Sequence, residues 1–301
     1  MAKIKPFLCV RPAEDKVDKI AALPYDVYNR AEAKAVVTAN PQSFLAIDRA
    51  ETQFGDEVDT YDERVYEKAH EMLDEWIDNG SFIRDPQNAY YVYELTMDGR
   101  VQTGIVACAS IDDYANNMIK KHENTRADKE ADRIHHVDTC SAQTGPIFLA
   151  YRYNKEIGDV VSAVKQTPAL YDFVADDGIR HRVFKIGDAA QIQTIEKAFA
   201  GIDDIYIADG HHRAASAVKV GFKRREEHPD YDGTEEFNYF LSVLFPDEEL
   251  MIMDYNRVVK DLNGMTEEQF LTKMNELFTV AQIGGTIGDA LPERGVKKKK
   301  K

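Results

Sequence analysis

Apolar residues recur at helical spacing in several separate stretches of the chain. Over residues 61–79 they fall on one helical face, and the Asn-Gly pair at 79–80 supplies a C-terminal cap. Asn29 and Glu32 have the spacing of a capping box, which predicts a helix just after Asn29. The same signals predict further helices after Thr125, over residues 157–165, 191–199 and 214–220, with Gly221 closing the last of these, and from Thr266 onward.

Segments rich in β-branched and aromatic residues alternate with these helices. Residues 89–95 and 101–110 are two such segments, and Asp98-Gly99 between them favours the turn of a β-hairpin. Shorter apolar segments predict further strands over residues 148–153, 181–186, 205–208 and 239–245. Because helices and strands alternate throughout the chain, we expect an α+β (mixed α/β) fold.

The predicted strand at residues 205–208 runs directly into a polar segment that we call the DGHHR motif. Its residues are Asp209, Gly210, His211, His212 and Arg213, and small residues open the helix that follows. Backbone N–H groups at the positive end of a helix, next to a guanidinium, are suited to bind a phosphate group. The motif is therefore a candidate phosphate-binding or nucleotide-binding site. The alternative is an ordinary strand-to-helix turn with partly exposed imidazoles.

A second polar cluster also stands just before a predicted helix. It contains Lys121, His122 and Glu123, here called the KHE motif, with Thr125 two residues further on. A carboxylate near lysines and a helix N-terminus stays ionised, and it can still take a proton from a substrate hydroxyl in the transition state. Glu123 is thus a candidate catalytic base, with His122 beside it. The alternative is structural: Glu123 would stabilise the helix dipole and Thr125 would cap the helix.

Charge and composition narrow the classes of function. Acidic residues outnumber basic ones by 53 to 38, giving a formal net charge of −15, so we expect nucleic acid to be repelled over most of the surface. The three cysteines form no CxxC pair, so reduced thiols are expected. No apolar stretch reaches the roughly 18 residues that span a membrane, and we expect a cytoplasmic protein without membrane partners.

The histidines raise the question of a metal site. The pairs at 135–136 and 211–212 lack the i, i+4 spacing of a helical zinc site, so a zinc centre built by the protein alone is not predicted. A Mg²⁺ ion carried by nucleotide phosphates needs only one or two carboxylates, and Asp209 is a candidate contact. The chain has no GxxxxGK[ST] loop, so a nucleotide site here must be of another design.

Together the two motifs resemble the ParB–sulfiredoxin superfamily and, within it, the free-serine kinases. In those kinases a Lys-Pro-His-Glu segment carries the catalytic glutamate, and an Asp-Gly-His-His-Arg segment receives the nucleotide phosphates. The second segment stands unchanged in the DGHHR motif, whereas the KHE motif has Lys121 where the kinases have proline. The resemblance implies a ParB/sulfiredoxin-like core, in which a mostly antiparallel or mixed sheet carries flanking helices and insertions.

A wider set of segments resembles a large bacterial and archaeal family of unknown function, family 1015. These segments include residues 23–27, 132–133, 146–148 and 206–213. The resemblance adds four candidates for lining the site, which are Tyr25, Asp26, Thr125 and Arg133. It implies a catalytic domain over residues 1–245 and a truncated C-terminal α/β segment over residues 246–295. The lysine run predicts a disordered tail over residues 296–301.

With both motifs present, the implied function is a nucleotide-dependent small-molecule kinase, a phosphotransferase with an alcohol group as acceptor. It would use ATP or ADP with Mg²⁺ to convert free L-serine or a close analogue to O-phosphoserine, with Glu123 as base and the DGHHR motif on the phosphates. Two alternatives stay open: a non-catalytic nucleotide-binding regulator like ParB, and a metal-dependent hydrolase built on the histidines. The sequence selects neither the donor nucleotide, nor the acceptor, nor the oligomeric state.

Overall fold

The computed structural model describes residues 2–125, 127–252 and 259–281, without the side chains of Asp128 and Lys129. The chain divides into two units, Met1–Met251 and Ile252–Lys301. The predicted lysine-rich tail lies outside the described residues, as does part of the predicted C-terminal segment.

A mixed β-sheet forms the centre of the first unit. The strands are β1 (Ile4–Lys5), β2 (Val10–Pro12), β3 (Phe82–Arg84), β4 (Tyr90–Met97), β5 (Arg100–Ser110), β6 (Ile119–Lys120), β7 (Ile147–Tyr151), β8 (Tyr171–Val174), β9 (Arg180–Ile186), β10 (Ile205–Asp209) and β11 (Tyr239–Pro246). Nine of these described strands form one sheet in the order β6-β10-β7-β11-β5-β4-β9-β8, with β1 paired to β5, and β2 pairs with β3. In that sheet β6 with β10 and β7 with β11 are parallel, and the other pairs are antiparallel.

Ten α-helices accompany these strands in the described part of the chain. They are α1 (Val17–Ile20), α2 (Arg30–Ala39), α3 (Leu45–Asp48), α4 (Glu63–Asp78), α5 (Ile111–Ala115), α6 (Ala127–Cys140), α7 (Lys155–Val164), α8 (Ala189–Ala200), α9 (His211–Glu227) and, in the second unit, α10 (Glu267–Leu277). The predicted α+β (mixed α/β) class is confirmed. The ParB/sulfiredoxin-like core stays a prediction.

Local sequence signals account for several element ends. The Asn29 side chain accepts from the Glu32 N–H at 3.0 Å, and the Glu32 carboxylate accepts from the Asn29 N–H at 2.8 Å, so the predicted capping box of α2 is confirmed. Asp98 and Gly99 both have positive φ, 51° and 76°, which matches the turn predicted between β4 and β5. In the second unit, Thr266 caps α10 in the predicted way.

The helix predicted over residues 214–220 is longer at both ends. α9 begins at His211 and continues to Glu227, so the prediction that Gly221 closes it was wrong. A Cβ atom at position 221 would lie 2.4 Å from the Phe237 carbonyl oxygen and 2.8 Å from Ile111. Gly221 therefore permits a close approach inside the helix and does not end it.

Two apolar clusters flank helix α6. One is built largely from residues of the sheet, including Leu149 and Phe240. The other joins α2, α3 and α4 around Trp76. Cys140, the last residue of α6, belongs to the second cluster, and α6 packs against both α4 and α9. Helix α6 thus connects the N-terminal helices to the helix that carries the DGHHR motif.

None of the helices within the described ranges has the length and apolar character needed to cross a bilayer. The three cysteines are free thiols, with Cys108 and Cys140 buried and Cys9 half-buried.

Candidate functional site

Strand directions bring three distant segments to one edge of the sheet. β6 and β10 are parallel neighbours, so the KHE motif and the DGHHR motif both follow strands that end at that edge. β7 is antiparallel to β10, so its first residue and the preceding Gly145-Pro146 lie there as well. The candidate site therefore forms at the carboxyl end of β10.

Gly210 makes the turn between β10 and α9. Its φ of 90° lies in the left-handed region, which glycine adopts without a Cβ clash. No side chain caps the helix, and the N–H groups of His211, His212 and Arg213 have no acceptor among the residues described. These donors stand at the positive end of a 17-residue helix and are open to an anion.

The imidazole of His211 joins the two motifs. The backbone N–H of His122 donates to Nε2 of His211 at 3.4 Å, and Nδ1 of His211 lies 3.5 Å from Oε2 of Glu123. The rings of His122 and His211 also meet edge to face, with centroids 4.4 Å apart. Because Nε2 accepts a hydrogen bond, the neutral ring carries its proton on Nδ1, next to the Glu123 carboxylate.

Burial keeps His211 uncharged near neutral pH. The residue is 5% exposed, and this burial, together with the nearby His122, lowers its pKa below the ordinary value of 6.5, while Glu123 and Asp209 act in the opposite direction. The Glu123 side chain, by contrast, is 64% exposed. The pair thus combines a buried neutral ring with a carboxylate that solvent or a ligand can reach.

Two oxygens of the protein hold Arg213. Its Nη2 donates to Oδ2 of Asp209 at 2.8 Å, and its Nη1 donates to the Pro146 carbonyl at 2.6 Å. A Cβ atom on Gly210 would come within 3.2 Å of the guanidinium, and one on Gly145 within 3.4 Å. Both glycines therefore leave the space that this arginine occupies. A phosphate bound here would meet a guanidinium that the protein already orients.

His212 lies on the wall of a cavity of about 470 Å³, bounded by the N-terminal segments and by α6. We name it the α6 cavity. The predicted lining residues Tyr25, Asp26 and Arg133 lie on the same wall, together with Asp48 and Asp132. Nδ1 of His212 is buried and has no hydrogen-bonding partner in the described structure.

The remaining predicted residue, Thr125, lies apart from the cavity wall. Its hydroxyl donates to Oε2 of Glu130 at 2.6 Å, and Glu130 also pairs with Lys219. The structure thus gathers the predicted residues into two neighbouring groups. Glu123 and His122 contact His211, whereas Tyr25, Asp26 and Arg133 share the wall of the α6 cavity with His212.

Part of the cavity wall was missed in the sequence. Arg49 donates to the carbonyl oxygens of Tyr25 and Tyr28 at 3.0 and 2.7 Å, and to the buried Glu51 at 2.6 Å. Arg49 therefore fixes the short 3₁₀ helix Tyr25–Val27 and the residue that follows it. The sequence does contain a local signal, because Arg49 and Glu51 come soon after the apolar residues 44–47. Charged residues in such a segment are rarely buried unless they are paired.

Asp209 offers the site a carboxylate suited to a nucleotide-borne cation. Among the residues that the structure describes, no group of three or more His, Cys, Asp and Glu side chains is placed to hold a metal ion. Asp209 is exposed and uses only Oδ2 on Arg213. One free carboxylate oxygen meets the need of a Mg²⁺ ion that bridges to phosphates, so Asp209 fits the predicted contact.

Similarity to known proteins is limited to a family of unknown function. No curated protein and no solved structure matches the chain. A family model described as "Protein of unknown function (DUF1015)" matches residues 4–301, which includes both motifs and residues of both units. The chain therefore belongs to this family, as the segments around Tyr25, Arg133 and the DGHHR motif predict.

Proposed function

We propose that this protein is a nucleotide-dependent kinase that phosphorylates the hydroxyl of free L-serine or a close analogue. The observation that most directly supports the proposal is the contact of His211 with both His122 and Glu123. This contact joins two motifs whose histidines are 89 residues apart in the chain. Phosphoryl transfer depends on placing a base next to a phosphate site, and the joined motifs meet that demand.

Glu123 is the proposed catalytic base. His211 is buried and its Nε2 already accepts the His122 N–H, so it is poorly placed to take a proton from a substrate. The Glu123 carboxylate is exposed and has free lone pairs. We assign His211 as a positioning residue, because its Nδ1–H faces Oε2 of Glu123 and restrains the orientation of the carboxylate.

In the proposed step, Glu123 takes the proton of the acceptor hydroxyl while the hydroxyl oxygen bonds to the terminal phosphorus of the nucleotide. The bond from that phosphorus to its bridging oxygen breaks, so ATP leaves as ADP, or ADP as AMP. The open N–H groups of α9 and the Arg213 guanidinium stabilise the charge on the phosphate oxygens. With serine the product is O-phosphoserine.

Mg²⁺ is expected to arrive with the nucleotide. When bound, it neutralises charge on the transferring phosphate. Asp209, next to Arg213 and exposed, is the residue proposed to contact it.

The kinase proposal is tested by direct assay of the full chain with Mg²⁺, ATP or ADP, and L-serine, measuring O-phosphoserine and the shortened nucleotide. Glu123→Gln is expected to lower turnover by about 10²- to 10⁴-fold, the usual contribution of a general base, with little change in nucleotide affinity. Glu156→Gln is a matched control, because Glu156 is an exposed glutamate in the first turn of α7.

Three outcomes would contradict the proposal. Absence of turnover with every hydroxylated amino acid, or full activity of Glu123→Gln, would reject the kinase. Nucleotide binding without any turnover would favour a nucleotide-binding regulator of the ParB type. Stoichiometric zinc that is lost on His211→Ala would favour a metal-dependent hydrolase.

A further inference from the structure

The α6 cavity contains a buried arginine whose terminal nitrogens make no hydrogen bond within the part of the chain that the structure describes. Arg133 is 7% exposed, its Nε donates to Oδ2 of Asp132 at 3.0 Å, and its guanidinium lies 4.1 Å from the centre of the Tyr25 ring. Its Nη1 and Nη2 have no acceptor among the residues described. Neither nitrogen is among the buried atoms that lack a partner, so both are accessible from the cavity, where a ligand carboxylate or phosphate can accept from them.

A carboxylate with a free oxygen stands near this arginine. Burial opposes the charge on Arg133, but Asp132 and then Asp48 act against it and the pKa of the guanidinium is raised, so Asp48 is within electrostatic reach. Oδ1 of Asp48 accepts from the Thr144 hydroxyl at 2.5 Å. Its Oδ2 makes no hydrogen bond in the described structure, whereas Asp132 is engaged by Arg133 and by the Tyr66 hydroxyl. Arg133 and Asp48 therefore present unused groups of opposite charge to the same cavity.

We propose that the α6 cavity is the acceptor pocket and that it binds the head group of a hydroxylated α-amino acid larger than serine. Arg133 holds the carboxylate through its two Nη groups, and Asp48 holds the ammonium group. An α-amino acid carries both charges on one carbon, so it needs an acidic and a basic partner in the same pocket, as Asp48 and Arg133 are here. This inference rests on the proposed function, because it assumes that the ligand is a phosphoryl acceptor.

The size of the cavity sets the length of the ligand. Its volume of about 470 Å³ lies within the range of about 300–1,000 Å³ that holds drug-sized ligands, and serine would fill little of it. Four tyrosines, Tyr25, Tyr28, Tyr61 and Tyr66, contribute to the wall. Their rings and hydroxyls suit a side chain that is longer than that of serine and partly apolar.

Tyr25 connects this pocket with the phosphate site. Burial is the main influence on the Tyr25 hydroxyl and raises its pKa, while Arg133 and Arg213 both act to lower it, so the ring is within electrostatic reach of both arginines. His212 likewise belongs both to the DGHHR motif and to the cavity wall. A ligand anchored on Arg133 and extended along Tyr25 would bring its distal hydroxyl towards the DGHHR motif.

Binding is tested separately from turnover, by calorimetry on the full chain. The panel is L-serine, L-homoserine, hydroxylysine and L-tyrosine, each compared with its decarboxylated and its deaminated counterpart. At least one of the larger amino acids is expected to bind about 10-fold more tightly than serine. Its decarboxylated counterpart is expected to bind about 10- to 100-fold more weakly, which corresponds to losing a charged hydrogen-bonded pair.

Two substitutions assign the charged partners. Arg133→Lys keeps the charge but removes the paired Nη donors, and should weaken amino-acid binding about 10- to 100-fold while nucleotide affinity changes less than about twofold. Asp48→Asn keeps an acceptor for Thr144 and should weaken binding of the amino acids but not of their deaminated counterparts. Arg182→Lys is the control, because Arg182 is a half-buried arginine that pairs with Glu94 on another strand. Thermal unfolding verifies that each variant is folded.

Four results would overturn the pocket assignment. The first is equal affinity of Arg133→Lys and the wild type for every amino acid, and the second is tighter binding of serine than of all larger members of the panel. The third is loss of nucleotide affinity in Arg133→Lys, and the fourth is no binding of any member at millimolar concentration. The third result would place the nucleotide in this cavity. If the proposed kinase activity is wrong, the pattern of results is different. In that case amino acids bind through Arg133 but no nucleotide is turned over.

Discussion

The DGHHR motif and the α6 cavity meet at His212 but are assembled in different ways. The motif consists of consecutive residues, and its geometry follows from one left-handed glycine between a strand and a helix. The wall of the cavity draws on segments from Tyr25 to His212, which are held together by contacts such as Arg49 with the Tyr25 carbonyl. The motif is thus defined by local backbone geometry, whereas the cavity depends on how α6 packs against α4 and α9.

The arginines of the two regions also differ in how their donors are used. Both terminal nitrogens of Arg213 are bound by Asp209 and the Pro146 carbonyl, so the protein itself orients this guanidinium. Arg133 is bound only through Nε within the described structure. The first arginine therefore has a position set before any ligand binds, while the second retains donors that a ligand can use.

Among the tests that compare the two regions, the largest expected effect comes from removing the guanidinium of the motif. Arg213→Gln should weaken nucleotide binding about 10- to 100-fold, because a charged hydrogen-bond donor to phosphate is lost. Titration calorimetry with ATP and ADP measures it. Arg224→Gln is the control, since Arg224 lies on the same helix and binds Asp138 at 2.7 Å. Unchanged nucleotide affinity in Arg213→Gln would remove the motif from the binding site.

A smaller effect is expected from the glycine that sets the motif's geometry. Gly210→Ala should lower the free energy of unfolding by about 2 kcal/mol, from a positive φ in a non-glycine residue and from contact with the Arg213 guanidinium. Gly178→Ala separates the two causes, because Gly178 has a φ of 80° with open space around its Cβ position. Denaturant unfolding of both variants gives the difference. Equal losses would show that the guanidinium moves aside at no cost.

The packing around the cavity is tested by removing a hydrogen bond between two helices of its wall. Tyr66→Phe removes the hydroxyl that donates to Oδ1 of Asp132 at 3.0 Å, joining α4 to α6, and should cost about 1 kcal/mol of unfolding free energy. Tyr61→Phe should be near neutral, because Tyr61 is exposed on the same wall. If the two variants lose the same stability, the bond does not hold the cavity together.

The smallest effect at neutral pH concerns two buried histidines, His211 in the motif and His136 on the wall of the α6 cavity. Burial is the main cause that lowers the pKa of His211 and of His136, with His122 and Arg133 respectively adding to it. The unfolded chain then binds protons at a higher pH than the folded chain, so the free energy of unfolding falls as pH drops below about 6.5. His211→Gln and His136→Gln should each reduce this slope. Slopes equal to that of the wild type in both variants would contradict the assignment.

Much of the secondary structure was predictable from the sequence because it depends on short-range interactions. The alternation of strand and helix signals, the hairpin turn at Asp98-Gly99 and the capping box at Asn29 all depend on neighbours within a few residues. The same short range explains the error at Gly221, where a glycine near the end of an apolar pattern looked like a cap. Its real role is an approach to the Phe237 carbonyl, a contact between distant residues that no local pattern encodes.

By itself, the sequence determined the order of the longer helices and strands, the turn at Gly210 and the chemistry available in the DGHHR and KHE motifs. Only the tertiary structure decided that His211, and not His212, faces Glu123, and that Arg133, Asp48 and Tyr25 share one cavity. The physical reason is the range of the forces involved. Backbone conformation and capping are set within a helical turn, whereas strand direction and helix packing bring residues together across the whole first unit.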